Sequence, residues 1–212
     1  MDVDRLQDRL YWGLNRMANI VGRVTDAYRA NGVSDPLDRS NRFLQLHAAF
    51  SRADGNFAQP VGYEVAVWRG YFDASYTRVG DYLAHKHEVW FIAAQHSLLP
   101  VLCIRTNRVI SITRQIIPTT GTSTSPATTT VSINVISQWP ASVLGTGTEG
   151  RPITQLPGDT RIPTAIALLP ATHGQILQPA DVVTDELGST SIVVAAELSD
   201  LGWRLNIRAI TT

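Results

Sequence analysis

Beyond Pro60 the apolar residues of this chain take up a period of two. Tyr63, Val65 and Val67 alternate with Glu64, Ala66 and Trp68, as a half-buried strand requires. Runs of the same kind follow at Asp81 to Ala84, Val89 to Ala94, Val101 to Arg105 and Val109 to Thr113. Val79-Gly80, Lys86-His87, Ser97 to Pro100 and Thr106-Asn107 break them apart. Strands this short and closely spaced predict a small barrel or sandwich. The C-terminal part repeats the pattern at Val135 to Trp139, Ala165 to Leu169, Ile176 to Thr184, Ser191 to Ala196 and Trp203 to Ala209.

The first 22 residues obey a different rule. Leu6, Leu10, Leu14, Met17 and Val21 recur at helical spacing, Asp2 and Asp4 suit the positive end of a helix, and Gly22 falls where a left-handed cap would stop it. The apolar stripe either packs on its own subunit or docks on a neighbouring ring. Residues 23 to 60 read as an irregular arm, because turn signals at Asn31-Gly32, Ser34-Asp35-Pro36 and Ala53 to Asn56 leave only Arg42 to Ser51 as a short helix.

Charge is balanced, with 18 basic and 18 acidic side chains among 212 residues, so no overall field marks a nucleic-acid or membrane partner. Residues 1 to 114 hold 14 basic and 11 acidic side chains and residues 115 to 212 hold 4 and 7, a polarity of the sign that head-to-tail stacking would use. A single cysteine, Cys103, excludes an internal disulfide and a cysteine-based zinc cage and suits a reducing cytoplasm. The absence of a signal-peptide layout and of long uncharged apolar runs predicts a soluble protein.

No charged residue occurs between Arg114 and Glu149, and residues 118 to 130 contain seven threonines, two serines and two prolines. That segment is either an interdomain linker or the tip of a long hairpin, since alternating apolar residues flank it on both sides. On either side of it two stretches share a layout. Gly80-Asp81-Tyr82-Leu83, Trp90 to Gln95 and Leu102 to Arg105 match Ala180-Asp181-Val182-Val183, Ile192 to Glu197 and Leu205 to Arg208. Each is a turn, an aspartate opening a strand, an apolar strand and an alternating strand.

The fold class is therefore mainly β with an N-terminal α-helix, in two small barrel or meander units that a duplication would relate. The helix and arm occupy 1–59, the first barrel 60–117, the linker or hairpin tip 118–130 and the second unit 131–212. Units of roughly 50 to 80 residues are small for independent stability, which favours mutual packing or oligomerisation.

Motifs for chemistry are weak. Gly145, Gly147 and Gly150 satisfy the dinucleotide-binding glycine spacing, but no helical pattern follows to aim amides at a pyrophosphate. His85-Lys86-His87-Glu88 lacks a specified third metal ligand and reads as a polar turn. Cys103, between Leu102 and Ile104, reads as a buried apolar residue, and Asp73, Asp81, Asp181 and Asp185 as caps of turns and strand starts. A hydrolytic cleft would have to assemble Asp73, Asp81 and His85. No catalytic residue, metal or cofactor is expected. Arg69, Arg78, Arg105 and Arg108 are the candidates for a weak lining around passing DNA.

Trp68 to Asp73, Val79 to Leu83, Trp90 to Gln95 and Leu99 to Arg108 together resemble the small barrels of head-tail connector, head-completion, stopper or collar proteins of tailed bacteriophages. The likeness covers residues 60 to 114 best, and residues 165 to 209 more faintly through Gln178 to Asp185 and Asp200 to Leu205. The resemblance implies a structural virion protein, made in the host cytoplasm and placed in the neck. It implies a six- or twelve-fold ring of identical subunits between a portal or adaptor and a tail-terminator or tail protein, in non-specific contact with packaged DNA and away from membrane. Leu6, Leu10, Leu14, Met17 and Val21 would then be an inter-ring docking helix. The alternative is another virion β module, a minor capsid or baseplate protein.

Overall fold

The computed structural model describes residues 3–52, 66–116, 131–145, 164–171 and 174–210. One helix, α1 (Val3–Val21), precedes two closed six-stranded antiparallel barrels. The first comprises β1 (Arg23–Tyr28), β2 (Arg42–Arg52), β3 (Val67–Tyr71), β4 (Tyr82–His85), β5 (Glu88–Ala94) and β6 (Val101–Arg105), in the order β1-β2-β3-β6-β5-β4. The second comprises β7 (Arg108–Ile116), β8 (Val131–Gly145), β9 (Thr164–Leu169), β10 (Val182–Asp185), β11 (Thr190–Ser199) and β12 (Gly202–Ala209), in the corresponding order β7-β8-β9-β12-β11-β10.

Several expectations are corrected. The arm supplies two strands of the first barrel. Arg42 to Ser51 is strand rather than helix, because Leu44, Leu46, Ala48 and Phe50 alternate toward the barrel interior. The last strand assigned to the first barrel, β7, opens the second, so the barrels meet at the two-residue link Thr106-Asn107. Residues 118–130 lie outside the described residues, but Ile116 and Val131 are register partners, so the segment joins two strands of one hairpin and not two domains. Of the expected strand at Ile176 to Thr184, only the part from Val182 is β; Tyr63 and Val65 lie outside the described residues. Gly22 is not in a left-handed conformation. A Cβ there would stand 2.4 Å from the carbonyl of Ala18 and 2.8 Å from the backbone of Ala48, so the glycine lets the helix end lie directly on β2.

The two barrels repeat one another in detail. Asp81 and Asp181, each 1% exposed, immediately precede β4 and β10. Arg29, just after β1, donates Nε and Nη2 to Asp81 at 2.8 and 2.7 Å, and Arg114 on β7 donates the same pair to Asp181 at 2.7 and 2.9 Å. Each aspartate also accepts a backbone amide three residues earlier, from Arg78 and from Gln178. Each arginine reaches a preceding carbonyl, of Tyr76 and of Ile176. The hydrogen bond to the carboxylate holds each guanidinium above its ordinary pKa. Bulges interrupt β5 between Ile92 and Ala94 and β11 between Val193 and Ala195. These registers pair Ile92 with Val193 and Cys103 with Ile207, one residue away from the correspondence the sequence suggests.

What differs is the outer face. On β4, β5 and β6 alternate residues enter different cores: Leu83, Trp90, Ile92 and Cys103 fill the first barrel, whereas Tyr82, Phe91, Ala93 and Ile104 pack with the second. The Tyr82 hydroxyl donates to the carbonyl of Pro140 at 2.9 Å and its ring meets Trp139 edge-on. Val33, in the β1–β2 connection, accepts from Ser137 N and Trp139 Nε1. Asn107 clamps β8 through the carbonyls of Ala141 and Val143 and the amide of Val143. Inside the first barrel Gly70 makes room for its neighbours, since a Cβ there would lie 2.6 Å from the Phe72 ring and 2.9 Å from Cys103 Sγ.

Two outcomes follow from this packing. Asp81→Ala and Asp181→Ala each leave a partly buried guanidinium without its counter-charge and lower stability by about 2–3 kcal/mol after allowance for screening, read by urea denaturation. A protease cut within residues 118–130 leaves one cooperative calorimetric transition. Two separable transitions would sink the single-body description.

Candidate functional site

Helix α1 lies against β2 and β3. Its inward line is Gln7, Tyr11, Leu14 and Ala18, with Ala18 fully buried and Gln7 Oε1 accepting from Leu98 N at 2.7 Å. Leu6, Leu10 and Met17 sit half-buried on one flank of that line, so most of the expected docking stripe is engaged with its own subunit. The free face shares only Val21 with that stripe. Trp12, Ile20 and Val21 are exposed at 65, 77 and 65%, and Arg16 lies over the Trp12 ring at 5.6 Å.

The four arginines do not converge. Arg69 is on β3, Arg78 stands 3.8 Å from Asp81, Arg105 pairs with Glu88 at 2.9 Å and Arg108 pairs with Glu186 at 3.4 Å. Three of them are thus bound to three different carboxylates, which weakens the field they would offer a phosphate backbone.

Nor does the structure assemble the hydrolytic trio. Asp73 caps its own turn through Ser75 N and Oγ, Asp81 is consumed by Arg29, and His85 stands at the far end of β4 from Asp81. Asp185 caps Leu187 N and Ser189 N. Among the described residues no group of three His, Cys, Asp or Glu side chains is placed to hold a metal ion. Gly145 ends β8, and Gly147 and Gly150 lie outside the described residues.

One concave feature combines aromatic walls with polar groups, at the mouth of the first barrel beside the end of α1. Phe50 and Trp90 stack there with ring centroids 3.9 Å apart and planes 7° from parallel. Together with Thr25, Ala48, Trp68 and His85 they line a cavity of about 300 Å³. Glu88 sits at the rim, bound by Arg105 at 2.9 Å and Arg23 at 3.3 Å. The guanidinium groups of Arg105 and Arg52 lie 5.6 and 6.0 Å from the centre of the Trp68 ring. His85 Nδ1 lies 2.6 Å from the carbonyl of Val24, which can only accept, so the ring carries its proton on Nδ1. Trp90 is 4% exposed, and its buried Nε1 has no hydrogen-bond partner among the described residues.

This site is not legible in the sequence as long as the residues around Phe50 read as a helix. The alternation from Leu44 to Phe50 was the available signal. Compared with protein-family models, with characterised proteins and with solved structures, the chain matches none.

Cys103 is fully buried beside Gly70, and burial pushes its thiol far above the ordinary range. It is expected to resist thiol-specific disulfide reagents in the native state and to react once in denaturant. Prompt reaction in the folded protein would contradict the burial. Because the folded thiol pKa is raised, its contribution to stability is complete below the unfolded value of about 8.5 and falls as pH rises beyond it.

Proposed function

We propose that the chain is a structural subunit that forms a homo-oligomeric ring in the neck of a tailed bacteriophage, joining portal to tail and continuing the DNA channel. The observation that carries the reading is a pair of edge-free barrels locked into one body, with a helix on the outside that presents Trp12, Ile20 and Val21 to solvent. Closed barrels offer no strand edge for pairing with another chain. Assembly must therefore use side-chain surfaces, and a rigid body with an exposed aromatic and aliphatic helix face suits a repeated contact. The resemblance of residues 60 to 114 to neck proteins supports the same reading.

The charge polarity does not add to it. Divided at the link between the barrels, residues 1 to 105 carry 12 basic and 11 acidic side chains and residues 106 to 212 carry 6 and 7, which is close to neutral on both sides. Arg108 and Arg114, counted with the first unit before, belong to the second.

A second reading, a minor capsid or baseplate module, draws on the threonine-rich segment 118–130, which lies between β7 and β8 in the chain. Negative-stain electron microscopy of the purified protein, together with particles assembled without it, tests the first reading. Rings in the microscope and tailless or DNA-leaking heads are expected. Normal infectious tailed particles would overturn the proposal, and immunogold label at the tail tip would select the second reading. Trp12→Glu and Ile20→Glu are expected to abolish the ring in mass photometry while leaving the melting temperature within a few degrees of the parent, because neither side chain is buried within the subunit.

A further inference from the structure

The face by which the first barrel holds the second recurs on the second barrel itself. On the first it is the outside of β4, β5 and β6, where Tyr82, Phe91, Ala93 and Ile104 pack with the second barrel. Strand order, bulges and ladder registers make these residues correspond to Val182, Ile192, Val194 and Arg208 on β10, β11 and β12. Three of the four positions stay apolar. Val182 and Ile192 are half-buried and Val194 is 57% exposed, and among the described residues no further layer covers them.

The strand that receives the first barrel is β8, where the carbonyl of Pro140 takes the Tyr82 hydroxyl and the Trp139 ring meets Tyr82 edge-on. Its equivalent in the first barrel is β2, with Leu46 and His47 at the positions of Trp139 and Pro140. That strand is covered by α1 and not by a barrel. The helix lies on β2, and Gly22 brings its end against the backbone of Ala48. In the order helix, first barrel, second barrel, the molecule therefore has two unlike ends. One is the free face of α1 with Trp12 and Ile20, and the other is the outside of β10, β11 and β12.

We infer that the free face of α1 in one copy of the chain docks on the outside of β10, β11 and β12 in the next copy, with Trp12 and Ile20 against Val182, Ile192 and Val194. The inference rests on the homo-oligomeric reading above and supplies the partner surface that reading requires. A ring of more than two identical subunits held by one kind of contact needs two different patches on each subunit, whereas a patch that binds its own copy stops at two. The helix face is only one of them. The outside of β10, β11 and β12 is the second, because it repeats the position of a face that already binds a barrel within the chain. It keeps an apolar centre, and the exposed Arg208 stands where Ile104 is buried. An apolar middle with a charged margin is the makeup of a contact between separately folded bodies.

Analytical ultracentrifugation of the full-length chain and of its variants tests the contact. Trp12→Glu spoils the helix face and Val194→Glu the strand face. Neither side chain is buried within the subunit, so both variants keep melting temperatures within a few degrees of the parent. The parent is expected to sediment as a ring and each variant alone as a monomer. Mixed in equal amounts, the two variants are expected to form a species of two subunits and nothing larger, since one still offers its helix face and the other its strand face. Ala195→Glu, also exposed at the β11 bulge, is expected to repeat the Val194→Glu result at a second position. Assembly of Val194→Glu and Ala195→Glu like the parent, or no two-subunit species in the mixture, would overturn this contact and leave the ring standing. A parent that stays monomeric at every concentration would overturn both.

Discussion

The outer face of β4, β5 and β6 serves two cores at once, and the rest of the molecule is arranged around that demand. A strand that is buried on one side alternates; one that is buried on both reads as a continuous apolar run, as Trp90-Phe91-Ile92-Ala93-Ala94 does. Tyr82, Phe91 and Ile104 have no water-facing alternative once the second barrel is in place. Thr106-Asn107, the Val33 clamp and the Tyr82–Trp139 contact then determine how the barrels sit, and neither unit has a complete core without the other. Among the described residues the corresponding strand of the second barrel, β11, has no third layer above it, and Val194 and Leu198 are exposed.

The legible parts of the fold were those where one local period decides. Val101 to Arg105 was bounded to the residue, and β4, β5, β9 and β12 nearly so. Arg42 to Ser51 reads as a short helix although its alternation is regular, because the turn signals around it leave only that stretch between them. The helix itself was plain, but its inward line runs through Gln7, Tyr11 and Ala18, which a count of large apolar residues passes over. The ion pairs of Asp81 and Asp181 join residues 52 and 67 positions apart, and nothing local marks their partners. The aromatic mouth brings together three strands, so it exists only once the barrel is closed.

The likeness of the two barrels is clearest in polar contacts and not in side chains that pack. The interiors differ, with Thr25 standing where Ile110 stands and Leu46 where Trp139 stands, because a core accepts many combinations of the right total volume. The buried carboxylate with its fork of donors is the same in both, and neither partner can be exchanged alone without stranding the other.

The turn ahead of each of those carboxylates shows how far that constraint extends. Gly80 precedes Asp81 with φ +94°, a conformation that costs glycine little. Ala180 precedes Asp181 and holds φ +72°, where a side chain costs about 1–2 kcal/mol. In both barrels the residue's amide donates across to the neighbouring strand, to Ile92 and to Val193, at 2.9 and 2.8 Å. The second copy thus keeps the backbone shape without the residue that makes it easy. The left-handed turn at Ala180 is held from outside, by its own amide on the carbonyl of Val193 and by the carboxylate one position later on the amide of Gln178.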